Sequence, residues 1–382
     1  MKGAVIIEGH VQGLSNVRSI GELGAPVIVV DVHNCIARYS KYCKQFFKCP
    51  PYDSDEFAQF LIDLSKKENL KDWLLIPSND HAVLTISRNK VELEKHYKTL
   101  VPKLNELLNI YDKKKLLDLA QQHNVAIPKS HILKTTDELT TMEFPVITKG
   151  RNGLTFYKKT GKKVFISKSQ KELQTQLEEI SKFVSIDKCL TQEIIPSHTE
   201  HKTISFTCFS VQGDIKSYWT GVKLREHPLR FGTATHTKSI DSEPLKNQSE
   251  TLIKAINYTG VCEIEYLFDP RTNEYKLIEI NPRTWLWVGL AKSCGIDYAK
   301  MMYSHVHNLP YDYPKSYPIE TYWINHITDL PFSIKGLIKR EYTFSEVAKS
   351  YISKKEFAIF KSNDILPILS LIFLLPLLII KR

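Results

Sequence analysis

Short, unbroken apolar runs alternate with stretches of helical spacing through the first hundred residues. Residues 4–7 (AVII), 26–31 (PVIVVD) and 73–77 (WLLIP) show no polar alternation, which marks strands buried on both faces of a parallel sheet. GHVQGLSN after the first run reads as a turn, and Val17, Ile20 and Leu23 follow at helical spacing up to Gly24. Ligands of such sheets sit at the carboxyl ends of the strands, where Gly9, Gly13, Asp31 and Asp80 fall. The Gly9–Gly13 spacing alone implies a tight strand-to-helix turn.

After residue 108 the pattern changes. Asp112 opens a helix through 123, with Lys113, Lys114 and Lys115 in its first turn. Cations there oppose the helix dipole, so the trio is a solvated face or one lysine points at an anion. A strand at 144–150 (FPVITKG) ends in Lys149-Gly150. Residues 151–163 are polar and basic, a loop or flexible hairpin, and 169–184 form an amphipathic helix. Residues 190–196 read as a strand stopping at proline, and 203–211 with 215–224 as an antiparallel pair, which shifts the class from α/β to α+β. Two alternating runs, 260–268 and 276–283, flank the turn sequence DPRTNEY and predict a hairpin. Positions i and i+2 share a face. Glu263 therefore points with Glu265, and Glu279 with Asn281. If 265 pairs with 279, all four side chains converge on one face; a one-residue slip separates them. Carboxylates with an amide oxygen suit a hard cation such as Mg²⁺. The bland alternative is an acidic, solvated sheet face. Arg283 beside two carboxylates favours the first reading, because the arrangement is costly unless an anion and a cation fill the gap.

Composition narrows the classes. A chain of 382 residues, 42% hydrophobic and 25% charged, is a folded protein of roughly two to three domains, not a disordered, collagenous or polytopic membrane protein. Seven scattered cysteines without a CxxC pair argue against a disulfide framework. Cys35, Cys43 and Cys49 lack metal spacing, and Cys262 falls in a core strand. His227, His236, His305 and His307 are read as ordinary histidines; the last two are separated by two on a helix and do not face each other. Met1-Lys2 leads straight into a strand, so no signal peptide is expected. The net charge of +10 favours anionic partners, but the basic residues are dispersed and no nucleic-acid motif appears.

In order along the chain, these elements resemble the ATP-grasp superfamily and, within it, carboxylate–amine ligases related to D-aspartate ligase. The matching segments are Asp112-Lys113, the 144–150 strand, the hinge Gln192-Glu193-Ile194-Ile195-Pro196-Ser197 and the 279–283 run ending Asn281-Pro282-Arg283. The resemblance implies an ATP-grasp fold of α/β and α+β parts. A Rossmann-like domain spans 1–108, a lid half 109–190 and a second half 191–312 bearing the hairpin, followed by a basic extension 313–363 and a hydrophobic tail 364–382. It implies an ATP-dependent ligase, with Mg²⁺ or Mn²⁺, that activates a small carboxylate as an acylphosphate for attack by an amine. The substrates expected are amino-acid or peptide-like, and a homodimer is compatible with the family. Lys113 and Lys149 would contact phosphates. The hinge Gln192, Glu193, Ile194 and Ile195 would hold adenine, with Glu200 on the ribose. Glu265, Glu279 and Asn281 would hold the metal. Lys223 would meet the terminal phosphate, Arg225 would assist the acceptor carboxylate, and Arg283 would grip the transferred phosphoryl group. The segment after Lys149 departs from the usual Gly-rich flap, and Lys158, Lys159, Lys162 or Lys163 would then substitute for backbone cradling. The alternative is a membrane-tethered nucleotide-binding protein without ligase activity.

Residues 365–380 (ILPILSLIFLLPLLII) lack any charge and precede Lys381-Arg382. This run is shorter than the ~20 residues needed to span a bilayer. Lys335, Lys339, Arg340, Lys349, Lys354, Lys355 and Lys361 give the preceding region a basic character suited to an anionic membrane. A tail anchor, an in-plane segment and a buried element compete, with cytoplasmic catalytic domains in each case.

Overall fold

A computed structural model describes residues 1–133, 142–196, 203–227, 232–352 and 355–374. Five parallel strands open the chain: β1 (Ala4–Ile7), β2 (Val27–Asp31), β3 (Cys43–Lys48), β4 (Trp73–Pro77) and β5 (Tyr97–Thr99), in spatial order β3-β2-β1-β4-β5. Helices α1 (Val11–Gly21), α2 (Glu56–Glu68), α3 (Asp80–Arg88), α4 (Lys90–Leu93) and α5 (Leu104–Tyr111) accompany them. Alternate residues of the buried strands serve two cores. Val5, Ile7, Ile28, Val30 and Leu75 meet Phe57 and Leu61 of α2 and Val83 and Ile86 of α3. Ala4, Ile6, Val27, Val29, Leu74 and Ile76 face the other way, toward α1 and the rest of the molecule. Most of the expected GHVQGLSN turn is helix, since α1 already starts at Val11. Gly13 makes this early start feasible: a Cβ there would stand 2.0 Å from the Glu8 carbonyl oxygen.

Next, α6 (Lys113–Gln122) precedes a small antiparallel sheet of β6 (Ser130–His131), β7 (Val146–Gly150), β8 (Phe165–Ser167) and β9 (Cys189–Glu193), in order β6-β9-β7-β8, with α7 (Gly153–Thr160) and α8 (Gln170–Ser181). The expected loop at 151–163 is therefore largely helical. Asn152 caps α7 by accepting from the Thr155 N–H, Phe156 is buried, and Gly161 ends the helix at φ 69°.

The largest sheet contains β10 (Thr203–Val211), β11 (Asp214–His227), β12 (Thr233–Ile240), β13 (Gly260–Asp269), β14 (Glu274–Asn281), β15 (Tyr322–Ile324) and β16 (Lys355–Phe357), in order β14-β13-β10-β11-β12-β15-β16. Its helices are α9 (Glu243–Ala255), α10 (Val288–Ser293), α11 (Tyr298–Val306), α12 (His326–Ile338), α13 (Phe344–Ile352) and α14 (Leu366–Leu369). Phe209, Trp219, Val261, Trp285, Trp287 and Trp323 from this half join the same core as β1 and β2. One apolar mass thus sets the carboxyl ends of the parallel strands against the 281–284 turn.

The C-terminal region closes onto the N-terminal unit. Arg18 donates to Asp364 at 2.8 Å and to the Ile359 carbonyl at 2.8 Å, with the two charged side chains 5% and 0% exposed. Ser40 Oγ and the Lys41 N–H, each at 2.8 Å, complete the shell of Asp364. Leu371 and Leu374 enter the shared core. The start of the apolar tail is therefore half-buried against the protein, and no helix among the described residues is long and apolar enough to cross a membrane. Arg18→Met should lower stability by about 3–5 kcal/mol, because it strands a buried carboxylate. Urea unfolding measures this, and a loss under about 1 kcal/mol would show that Ser40 and Lys41 suffice.

Candidate active site

The β13–β14 register decides the chemistry of the hairpin. Glu265 stands opposite Glu279, and Glu263 opposite Asn281, so the four side chains share a face. Neighbouring strands supply their partners. Ser205 of β10 donates to Glu263 at 2.8 Å, and Asn281 Nδ2 donates to Glu263 at 3.1 Å. Lys223 of β11 places Nζ 3.1 Å from both Glu265 oxygens. From the start of α6, Lys113 Nζ reaches Glu279 at 2.7 Å. Asp112 sets that helix start: its carboxylate accepts from the Lys114 and Lys115 N–H groups and from Arg151. Lys149, at the end of β7, is 7% exposed.

Three carboxylates and three lysines therefore face one another. Lys113 holds the Glu279 carboxyl well below its usual range, against the cost of burial. Burial, with Glu265 nearby, raises Glu263. Burial disfavours charge on Lys223, but Glu265 and then Glu263 outweigh it and keep the ammonium protonated. Burial followed by the Lys113 charge pushes Lys149 down to about 7, and Glu279 only partly offsets this. Among the described residues, no group of three or more His, Cys, Asp or Glu side chains is arranged to hold a metal; Lys223 and Lys113 occupy Glu265 and Glu279. The donor set itself suits a hard cation. Because the face is already charge-balanced, a triphosphate entering alone would leave it strongly negative, whereas one accompanied by divalent cations would not.

Arg283 leads from this face to the parallel sheet. Its Nε and Nη2 donate to Asp80 at 2.7 and 2.8 Å, and Tyr111 donates to the same carboxylate at 3.1 Å. Asp31 accepts from the Gly9 N–H at 2.8 Å and the His33 N–H at 3.0 Å. Gln12 donates to Glu8 at 2.9 Å and to the Ser78 carbonyl at 3.0 Å. Glu8, at φ 71°, is raised to about 8 by burial, Asp31 and Asp80, with Arg283 opposing. Asp31 and Asp80 lie where parallel-sheet logic placed them; Glu8, Tyr111 and Ser205 carried no signal in the sequence beyond residue type.

Comparison with known proteins identifies the fold. Residues 233–305 match the family model described as carbamoyl-phosphate synthase L chain, ATP binding domain. The chain is 23% identical to D-aspartate ligase of Enterococcus faecium over 252 residues, covering 61% of this chain and 59% of that protein. N5-carboxyaminoimidazole synthetase from Staphylococcus aureus, complexed with ADP, superposes with a TM-score of 0.64 at 17% identity, over 84% of this chain and 81% of that one. L-amino acid ligase from Bacillus licheniformis gives 0.62 at 14% identity, over 80% and 74%. The chain has the ATP-grasp fold.

Within this ATP-grasp protein, several expected site residues are placed differently. Arg225 is turned away from the hairpin face. Register shifts on both sides of it in β11 rotate the side chain, and its Nε and Nη2 pair with Asp329 of α12 at 2.9 and 2.6 Å. It is 7% exposed, so a role on an acceptor carboxylate does not fit. Gln192 is buried and donates to Ser130 at 2.7 Å. The Glu193 N–H is bonded to the Lys129 carbonyl at 3.0 Å, unavailable to adenine, and its carboxylate clasps Arg271 and Lys276 at the turn end of the hairpin. Ile194 and Ile195 follow directly, Ile195 buried. Glu200 and Ser197 lie outside the described residues. Of the basic residues beyond Lys149, Lys158 pairs with Asp53 at 2.8 Å and Lys162 with Glu179 at 3.5 Å, both on the exposed surface.

The electrostatics of Lys149 generate a proton-linked expectation. A phosphate placed against it restores its charge, so above pH about 7 nucleotide binding should take up a proton and weaken as pH rises. Titration calorimetry in two buffers of different ionisation enthalpy measures the uptake. Lys149→Met should abolish it, and an uptake unchanged in that variant would exclude Lys149.

Proposed function

We propose that this ATP-grasp protein is an ATP-dependent ligase that joins a small carboxylate to an amine, with an amino-acid or peptide-like substrate. The observation that carries this reading is the Glu265–Glu279 register, which gathers Glu263, Glu265, Glu279 and Asn281 beneath Lys113, Lys149 and Lys223. The similarity to D-aspartate ligase supports it, although the match spans only 59% of that protein's length. In the proposed reaction a carboxylate oxygen attacks the γ-phosphorus and the bond to the ADP oxygen breaks. The amine nitrogen then attacks the acyl carbon, phosphate departs with the carbonyl–oxygen bond, and the amine loses its proton to solvent.

Lys113 and Lys149 bind phosphate oxygens, and Lys223 meets the terminal phosphate. Arg283, exchanging Asp80 for an anion, steadies the phosphoryl group in flight; its planar fork suits that task. Of the expected hinge, only the Ile194–Ile195 stretch, beyond the occupied Gln192 side chain and Glu193 N–H, is left to lie against the base. Glu265, Glu279 and Asn281 would hold Mg²⁺ or Mn²⁺, which supplies charge neutralisation of the triphosphate when bound. Lys113 and Lys223 exchange carboxylate for phosphate, so none of these charges is left unpaired.

The test is ADP release by purified protein given ATP, Mg²⁺ and pools of amino acids. Glu279→Gln should lower turnover by about 10³-fold while leaving the nucleotide-free melting temperature within a few degrees. Turnover near the original would sink the hairpin assignment. Chelation by EDTA should abolish release and added Mg²⁺ or Mn²⁺ restore it; turnover that persists in EDTA would rule out the metal.

A further inference from the structure

Helix α12 is amphipathic in the wrong direction for a helix packed on a sheet. Its buried residues are Asp329, Ser333 and Gly336, whereas Leu330, Ile334 and Ile338 are 50%, 51% and 78% exposed. The exposed three recur every fourth residue and form one stripe. The inward face is polar for a structural reason. Asp329 accepts from Nε and Nη2 of the buried Arg225, and also from Thr235 at 2.8 Å, Ser333 at 3.1 Å and Tyr351 at 2.9 Å. At Gly336 a Cβ would fall 2.3 Å from the Tyr342 ring. Rotating α12 to bury its stripe would strand the Arg225 charge in the interior, so the apolar side is held outward.

Exposed cations border the stripe. Lys335 and Lys339 each follow a stripe residue, and Arg340 follows the helix end. The only acid within the helix, Asp329, is buried. Two copies meeting through this face would bring like charges together, which disfavours self-association. An apolar stripe edged by lysines is complementary to an anionic bilayer surface, into which lysine stems extend while their ammonium groups reach the headgroups. A helix of 13 residues spans about 20 Å, too short to cross, so it would lie in the plane of the interface. The segment after β16 presents a second apolar face, with Ile372 and Phe373 68% and 71% exposed. Ile368 of α14 and Ile327 of α12 both pack on the shared core.

We propose that the outward stripe of α12, Leu330, Ile334 and Ile338 with Lys335, Lys339 and Arg340, docks the protein on an anionic membrane surface. The proposal is independent of the ligase reading, because docking is measured without substrates.

The experiment is co-sedimentation of the full chain with phosphatidylcholine vesicles and with vesicles that also contain phosphatidylglycerol. Wild type should bind the anionic vesicles, release at high salt, and leave neutral vesicles largely unbound. The double variant Ile334→Gln/Ile338→Gln and the triple variant Lys335→Gln/Lys339→Gln/Arg340→Gln should each reduce binding by about tenfold, with unchanged melting temperature because the substituted side chains face solvent. Absence of wild-type binding, or equal binding by the double variant, would overturn the proposal. So would a wild-type dimer that the double variant converts to monomer, since the stripe would then be a self-interface.

Discussion

The antiparallel register of β13 against β14 is the constraint on which the site depends. With Glu265 opposite Glu279 and Glu263 opposite Asn281, carboxylates stand closer together than repulsion would allow without cations. The protein meets this with lysines from separate parts of the chain. Lys223 comes from the same sheet, Lys113 from the start of α6, and Lys149 from β7 of the small antiparallel sheet. A shift of one residue would turn the carboxylates into the opposite core, where Ile264, Tyr266 and Ile280 now pack. The apolar residues between the glutamates therefore hold the register as firmly as the ladder hydrogen bonds do.

Placement of this face relative to the parallel sheet comes from the shared core. Residues of β1, β2 and β4 and the tryptophans at 219, 285, 287 and 323 belong to one cluster, so the first sheet is packed into the second half of the molecule. Arg283 exploits that proximity by pairing with Asp80 across it. Its planar fork takes both Asp80 oxygens and so ties the end of the parallel sheet to the residues that follow the hairpin.

The C-terminal residues serve the same architecture. β15 and β16 extend the large sheet, Asp364 locks onto Arg18, and Asp329 occupies Arg225. Both of these buried ion pairs join a residue beyond 320 to one earlier in the chain. Each would be strongly destabilising if halved. The Arg225 pair also explains why α12 keeps apolar residues outside: the direction of a helix face follows its most costly buried partner, even where hydrophobic burial alone would choose otherwise.

Local pattern was enough to read β1, β2 and β4, the Asp112 cap, the 260–283 hairpin and the residues that line its acidic face, because period-two alternation, unbroken apolar runs and a capping aspartate are short-range signals. The lysine-to-carboxylate pairings, the diversion of Arg225, the engagement of Glu193 with Arg271 and Lys276, and the docking of the tail's first turns were not legible. Each joins residues far apart in the chain or turns on a bulge that rotates one side chain. Sequence spacing states which residues share a strand face. Which opposite charge reaches them, and which faces stay outside, is decided only when separate elements pack and every buried charge must find a partner.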